Sequence, residues 1–369
     1  MRATRTVIHL ENLRHNLRLI RSRVGERDIC LAVKADGYGH GAVETAKAAL
    51  KEGVKAFAVA TLDEALELRE AGIGGLLLVL SPLLPEEMPE AAAQSLSLVV
   101  GDRGMAETYR DCCSERGIIG KVHLKIDTGM GRYGCAPEVA AELAGFIAST
   151  GSLSLEGTCT HFPSADGGDE TFTQAQIDLF TKAVEEIQRG GTDPGILHAA
   201  NSGGILGHYQ SWLTMVRPGI IAYGYYPSRD QERDLALTPV MEFETRVLFI
   251  KRIPPGTSIS YGRTWKAKRT TYIATLPAGY ADGYNRLLSN RGRVAIRGKS
   301  YPVVGRVCMD QTMVDLGPET EVRLHDRAVL FGPEPPAPTA EEIAEMIGTI
   351  PYEVTCWTAK TRVPRIFSA

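Results

Sequence analysis

Lys34 ends the apolar run of DICLAVKADGYGHGA (residues 28–42) and is followed by glycines at 37, 39 and 41. A solvated lysine needs no such setting. A lysine that must shed its proton and attack an aldehyde does, and flexible backbone beside it suits a ligand that sits close to the chain. Two later stretches hold complementary groups. NSGG (201–204) sets Asn201 and Ser202 ahead of paired glycines where a helix could open, and the free amides of such an end receive anions. VRPGII (216–221) puts Arg217 two residues before Gly219, a second place where backbone can approach a ligand. Taken singly, each has a plainer reading as a solvated strand end, a helix cap or a surface charge.

The rhythm of the chain decides whether these groups can meet. Up to about residue 225, apolar runs at 29–34, 56–60, 76–80, 96–100, 121–126, 153–160, 196–199 and 213–217 alternate with segments of helical period, the grammar of a parallel α/β fold. In TLDEALELREAG, Thr61 and Glu64 have capping-box spacing, and DETFTQAQIDLFTKAVEEIQRGG stops on Gly190 and Gly191. Eight strands with intervening helices predict a (β/α)8 barrel. Beyond LTPVMEFETRVLFIKRI, short β runs punctuated by Pro and Gly take over, with one helix at 339–348 after GPEPPAPTAEE. The reading is a barrel domain over 1–235 and a mainly-β domain over 236–369. Barrels carry reactive groups at the C-terminal ends of their strands and phosphate on the loops after strands seven and eight. Lys34 ends strand one, NSGG follows strand seven and Arg217 ends strand eight. One rim therefore gathers a Schiff-base lysine, an arginine and a phosphate cradle, which are the needs of pyridoxal phosphate.

Composition narrows the alternatives. A chain of 369 residues with 44% hydrophobic and 23% charged side chains predicts a well-filled globular core. With 41 basic and 44 acidic side chains and no block of like charge, it gives no sign of a nucleic-acid partner, and no apolar run has membrane-spanning length. Seven cysteines without a CxxC pair or Cys/His cluster predict no disulfide framework, no metal site and a reducing cytoplasm. The opening MRATRTVIHLENLRHNLRLI lacks the apolar core of a secretory signal and reads as the first helix of the fold.

AVKADGYGHG, HLKIDTGMGRYG, THFPSADG, HAANSGG, VRPGIIAYGYYPS, SYGRTW, LPAGYADGY and VGRVCMDQTMVDL, in this order across nearly the whole chain, resemble the bacterial alanine racemases. The resemblance implies a fold-type III pyridoxal-phosphate enzyme that supplies D-alanine for peptidoglycan as a head-to-tail homodimer, its active sites completed by the partner chain. By the same resemblance Lys34 holds the cofactor, and Tyr38, Asn201, Ser202, Gly219 and Ile220 surround its phosphate. Arg217 faces the pyridine nitrogen beside His161, and Arg132 supports the phenolic oxygen and the substrate carboxylate. Lys125 matches a lysine that is often carbamylated. Tyr261, Met309 and Tyr280 come from the other chain, Tyr261 as second acid/base group and the others toward the substrate. Asp36, Asp127 and Asp310 lie inside motifs where turn stabilisation weighs as much as a direct role.

Racemisation takes a proton from one side of a planar centre and returns one to the other, so two acid/base groups on opposite faces suffice. A phenol with pKa about 10 serves as base at neutral pH only at roughly 4 kcal/mol unless positive charge lowers it. An arginine opposite the ring nitrogen can only donate, which leaves that nitrogen unprotonated and the ring a weak electron sink. One departure from the family pattern stands out. In YEVTCWTAKTRVPRIF, Thr361 precedes Arg362 where a tyrosine is expected, and the smaller side chain leaves room for a hydroxymethyl group, so serine is expected as a second substrate. The rival readings are a decarboxylase of the same fold type, a non-catalytic pyridoxal-phosphate carrier and a cofactor-free lysine aldolase. SYGRTW and CMD in the β domain favour the racemase over the decarboxylase, the extra β domain with its tyrosine argues against the carrier, and visible absorbance of the purified protein separates the aldolase.

Overall fold

The computed structural model describes residues 2–168, 170–359 and 362–368. Strand β1 (Arg5–His9) precedes a helix at Leu10–Val24, so the opening segment is a strand joined to a helix where the sequence reads as helix alone. Alternating burial in β1 comes from packing against distant strands, which no local periodicity in five residues reveals. The barrel follows as β2 (Asp28–Ala32), β3 (Ala56–Val59), β4 (Leu76–Val79), β5 (Ser97–Val100), β6 (Gly120–Lys125), β7 (Leu153–Cys159), β8 (Ile196–His198) and β9 (Met215–Val216). All eight overlap the expected strands, because a strand covered on both faces reads as an unbroken apolar run. They form one parallel sheet in the order β8-β7-β6-β5-β4-β3-β2-β9. Thr214 N donates to Leu197 O at 3.1 Å and Arg217 N to Ala200 O at 2.9 Å, tying the two ends of that sheet together.

Helices pack outside the barrel. Leu13, Leu17, Ile20 and Val24 recur at helical spacing on one buried face of the first helix, each contributing about 1.5–3 kcal/mol by leaving water. The expected capping box of Thr61 with Glu64 is present, Thr339 forms a second with Glu342, and the helix at Ala340–Ile347 ends on left-handed Gly348. A further helix at Pro351–Cys356 was not anticipated.

The remaining strands are β10 (Met241–Arg246), β11 (Phe249–Ile253), β12 (Ser258–Ile259), β13 (Trp265–Lys266), β14 (Thr271–Leu276), β15 (Arg293–Ile296), β16 (Lys299–Pro302), β17 (Thr312–Gly317), β18 (Arg327–Phe331) and β19 (Arg365–Ser368). A six-stranded sheet in the order β16-β15-β18-β10-β1-β19 takes in the first strand of the chain, antiparallel to β10 and parallel to β19. No helix among the described residues is long and apolar enough to cross a membrane.

Candidate active site

Strand β2 stops at Ala32, so Lys34 opens a turn (Lys34–Tyr38) beyond the strand instead of ending it. From Ala35 to Gly39 the backbone is left-handed: Ala35, Asp36 and Tyr38 have φ of 51°, 55° and 52°, and Gly37 and Gly39 have 63° and 85°. Each residue with a side chain is strained there by about 1–2 kcal/mol, so the conformation has to be held. Gly37 N donates to Val33 O at 2.7 Å and Gly39 N to Ala35 O at 2.9 Å. Glu64 accepts Ala35 N on one oxygen and Ala60 N on the other, both at 2.7 Å. Asp36 accepts Ala42 N at 3.0 Å and pairs with Arg365 of β19. A Cβ on Gly39 would lie 2.2 Å from Thr355 O, so this glycine lets the C-terminal helix press against the lysine turn.

Lys34 faces a cavity of about 300 Å³ lined also by Lys125, Arg132, Tyr133, His161 and Arg217. Burial, then the charge of Arg132, lowers the Lys34 pKa and so favours the free amine. Lys125 is lowered to about 8 mainly by burial, with Arg132 and Arg217 adding to it, and its ammonium lies 3.7 Å above the centre of the Tyr133 ring. Arg132 sits on a loop shaped by Asp127, whose carboxylate accepts Gly129 N at 3.0 Å and Gly131 N at 3.0 Å.

Arg217 is buried and spends its two Nη groups on fixed acceptors: Thr160 O and His198 Nδ1 at 2.7 Å, His198 O at 2.8 Å, Ala199 O at 3.0 Å and His161 Nδ1 at 3.3 Å. Burial, reinforced by Arg217, keeps His161 neutral by pushing its pKa well down. Ser202 Oγ accepts Gly219 N at 3.0 Å, and a Cβ on Gly219 would stand 2.9 Å from Tyr38 Oη and 3.7 Å from Ser202 Oγ. Tyr38, Ser202 and Gly219 thus converge, with Ile220 next in the chain. Asn201 caps the short helix Ser202–Gly207, accepting Gly204 N and donating to Phe162 O, each at 3.0 Å.

Tyr261, Tyr280 and Met309 lie elsewhere, exposed on the β domain, and no cavity-lining residue comes from beyond Arg217 among the described residues. Their three segments are laced together. Tyr280 N donates to Cys308 O and Ala281 N to Met309 O, both at 3.0 Å, and Ser260 Oγ donates to Arg306 O at 2.6 Å. Asp310 pairs with Arg362, which also reaches Asp282 at 2.8 Å. Thr361 lies outside the described residues. The sequence reading missed Glu64 as the clasp of the lysine turn, although its capping-box spacing marked it, and missed Tyr352, which lies in the YEVTCWTAKTRVPRIF segment. The Tyr352 ring packs 5.8 Å from that of Tyr38.

The family profile "Alanine racemase, N-terminal domain" matches residues 8–227 and "Alanine racemase, C-terminal domain" matches 240–367. The chain is 46% identical to an alanine racemase of Treponema denticola over 375 aligned residues, covering 100% of this chain and 98% of that protein. With an alanine racemase of Desulforamulus reducens it shares 44% identity, covering 98% and 97% of the two chains. The solved alanine racemase of Clostridium difficile 630 superposes with a TM-score of 0.94 at 37% identity, covering 100% and 96% of the two chains. That of Bacillus anthracis, solved with bound L-Ala-P, gives 0.91 at 36% identity, covering 100% and 96%. With both halves matched in order and relatives alike along its whole length, the chain belongs to the alanine racemase family of isomerases.

Proposed function

We propose that this chain interconverts L- and D-alanine with pyridoxal phosphate, by a two-base mechanism shared between two subunits. The observation that carries the reading is the convergence on one rim of a lysine with lowered pKa, the buried donor Arg217, and a recess between Tyr38 and Ser202 that only a glycine at 219 leaves open. These features fit the cofactor: an amine for its aldehyde, a donor for its ring nitrogen, hydroxyls and amides for its phosphate.

When bound, the cofactor offers a conjugated ring that accepts the electron pair of the substrate's α C–H bond. Lys34, displaced by the substrate amine, moves a proton at the α carbon on one side. Tyr261 of the partner subunit moves one on the other side, taking it from L-alanine while Lys34 takes it from D-alanine. Neutral His161, whose Nδ1 accepts from Arg217, carries its proton on Nε2 and can donate it to the oxygen of that phenol, and Arg132 binds the substrate carboxylate. Carbamylation of Lys125 turns a cation into an anion able to fix Arg132. The exposed surface of Tyr261, Tyr280 and Met309 supports a head-to-tail homodimer in which each β domain caps the other barrel, the backbone of Met309 and the ring of Tyr280 approaching the substrate. The domains divide near residue 235, with β1 lent to the β domain's sheet. Seven free cysteines suit the cytoplasm, where D-alanine for peptidoglycan is needed. Thr361, in place of a tyrosine, supports serine as a second substrate.

Mixing tests the shared site. Lys34→Ala and Tyr261→Phe are each inactive in conversion of L- to D-alanine. Co-expressed at equal levels, half the dimers are mixed, each with one intact site, and roughly a quarter of wild-type activity returns. No recovery overturns the shared site, and activity of Lys34→Ala alone overturns the mechanism.

A further inference from the structure

Barrel cores are usually filled by layers of branched apolar side chains, but behind Arg217 this one holds a line of polar groups that does not reach the cavity. Arg217 Nη1 meets His198 Nδ1 at 2.7 Å, His198 Nε2 meets His123 Nδ1 at 2.8 Å, and His123 Nε2 meets Glu156 Oε2 at 3.2 Å. Both imidazoles are fully buried. Space for the second is made by Gly157, where a Cβ would stand 2.5 Å from His123 Nδ1 and 2.6 Å from its Cε1. The line ends where β5 and β6 begin: Ser97 donates to Glu156 Oε2, and Lys121 Nζ lies 3.7 Å from Oε1. Against the opposing effect of burial, hydrogen bonds from His123 and Ser97 hold the Glu156 carboxyl down at about 2, so it is ionised.

The two ends fix the direction of everything between them. A guanidinium can only donate, so His198 Nδ1 carries a lone pair. An ionised carboxylate can only accept, so His123 Nε2 carries a proton. The central contact then has one solution, His198 Nε2–H donating to His123 Nδ1. A second proton on either ring would set two hydrogens face to face, so both rings are neutral.

We infer that Glu156, acting through His123 and His198, is a positioning residue for Arg217: it locks each histidine as its Nε2–H tautomer and thereby fixes the acceptor that aims the guanidinium. The effect on the ring nitrogen of the cofactor rests on the function proposed above; the tautomers do not. Loss of a carboxylate behind a histidine weakens the site it orients by roughly tenfold in metal centres, where the same arrangement recurs.

Proton-detected ¹⁵N spectra of holoenzyme labelled at histidine test this directly, with His123→Gln and His198→Gln assigning the signals. Both rings are expected as neutral Nε2–H tautomers at neutral pH, and an Nδ1–H or doubly protonated ring at either position overturns the proposal. In Glu156→Gln the amide can donate as well as accept, so His123 is expected to lose its single tautomer. The kcat should fall roughly tenfold with KM for alanine within about twofold, and the absorbance maximum of bound pyridoxal phosphate should shift. Glu156→Asp should restore the tautomers. Wild-type tautomers, spectrum and kcat in Glu156→Gln also overturn it. The stated tautomers in a protein that takes up no pyridoxal phosphate support the relay and overturn the function instead.

Discussion

Glu64 grips both sides of the gap between two barrel strands: one carboxylate oxygen takes the amide of Ala35, the residue after Lys34, and the other takes the amide of Ala60 beyond β3. The helix cap and the catalytic turn therefore share one side chain. Glu64→Ala removes both bonds and the capping box, and is expected to lower stability by about 1–2 kcal/mol in urea melts. It should also weaken uptake of pyridoxal phosphate by stripped protein, because the left-handed turn loses a support that its strain requires. Unchanged cofactor affinity would show that the remaining bonds are enough to hold Lys34.

Gly219→Ala tests the phosphate recess. The added methyl meets Tyr38 Oη at 2.9 Å and fills the recess, and a urea melt of the variant separates this effect from any loss of fold. Titration of stripped protein by absorbance should show affinity for pyridoxal phosphate reduced by about tenfold or more, equivalent to at least about 1.4 kcal/mol.

Lys125 sets a pH dependence. Its pKa is 10.5 in the unfolded reference and about 8 when folded, because burial disfavours the ammonium. Between these values the unfolded chain binds the proton and the folded chain does not, so stability climbs as pH rises from about 8 to 10.5 and is flat below. Lys125→Met should abolish that climb and stabilise the protein at pH 7 by up to about 3 kcal/mol, measured on protein kept free of carbon dioxide. Adding ¹³C-bicarbonate should give a carbamate resonance in the parent that is missing from the variant.

Tyr261 is 71% exposed in the single chain, so Tyr261→Phe should leave chemical stability within about 0.5 kcal/mol. Racemisation should nevertheless fall by about 100-fold or more, the contribution of a positioned acid/base group. A parallel loss of stability and activity would place the phenol in the fold and not in the chemistry.

Thr361→Tyr is expected to cut the specificity constant for serine by about tenfold relative to alanine, the discrimination available from filling a pocket by a side chain. Equal losses for both amino acids would remove the link between this position and substrate size.

Much of this was legible in the sequence because burial writes plainly. β3, AFAV, and β4, LLLV, lie inside an α/β layer and can hardly be anything else, and Thr61 with Glu64 marks a helix start by chemistry alone. The Arg217 neighbourhood was only half legible. Arg217 and His161 belong to recognisable motifs, whereas His123, His198 and Glu156 sit on three different strands and acquire meaning only when the barrel closes. The left-handed run at Ala35 and Asp36 was hidden for another reason: alanine does not favour that conformation and aspartate only tolerates it, and contacts from Glu64 and Arg365 hold it. Likewise β1 is a strand because β10 and β19 lie on either side of it, not because RTVIH insists on it.

That first strand has a consequence for how the molecule is made. The His9 and Ser368 side chains bond across 359 positions, so the seat beside β1 stays empty during synthesis until nearly everything between them has emerged. The barrel can shut around β9 long before then. Meanwhile the nascent chain displays a bare hydrogen-bonding edge on β1, open to pairing with another chain until β19 arrives.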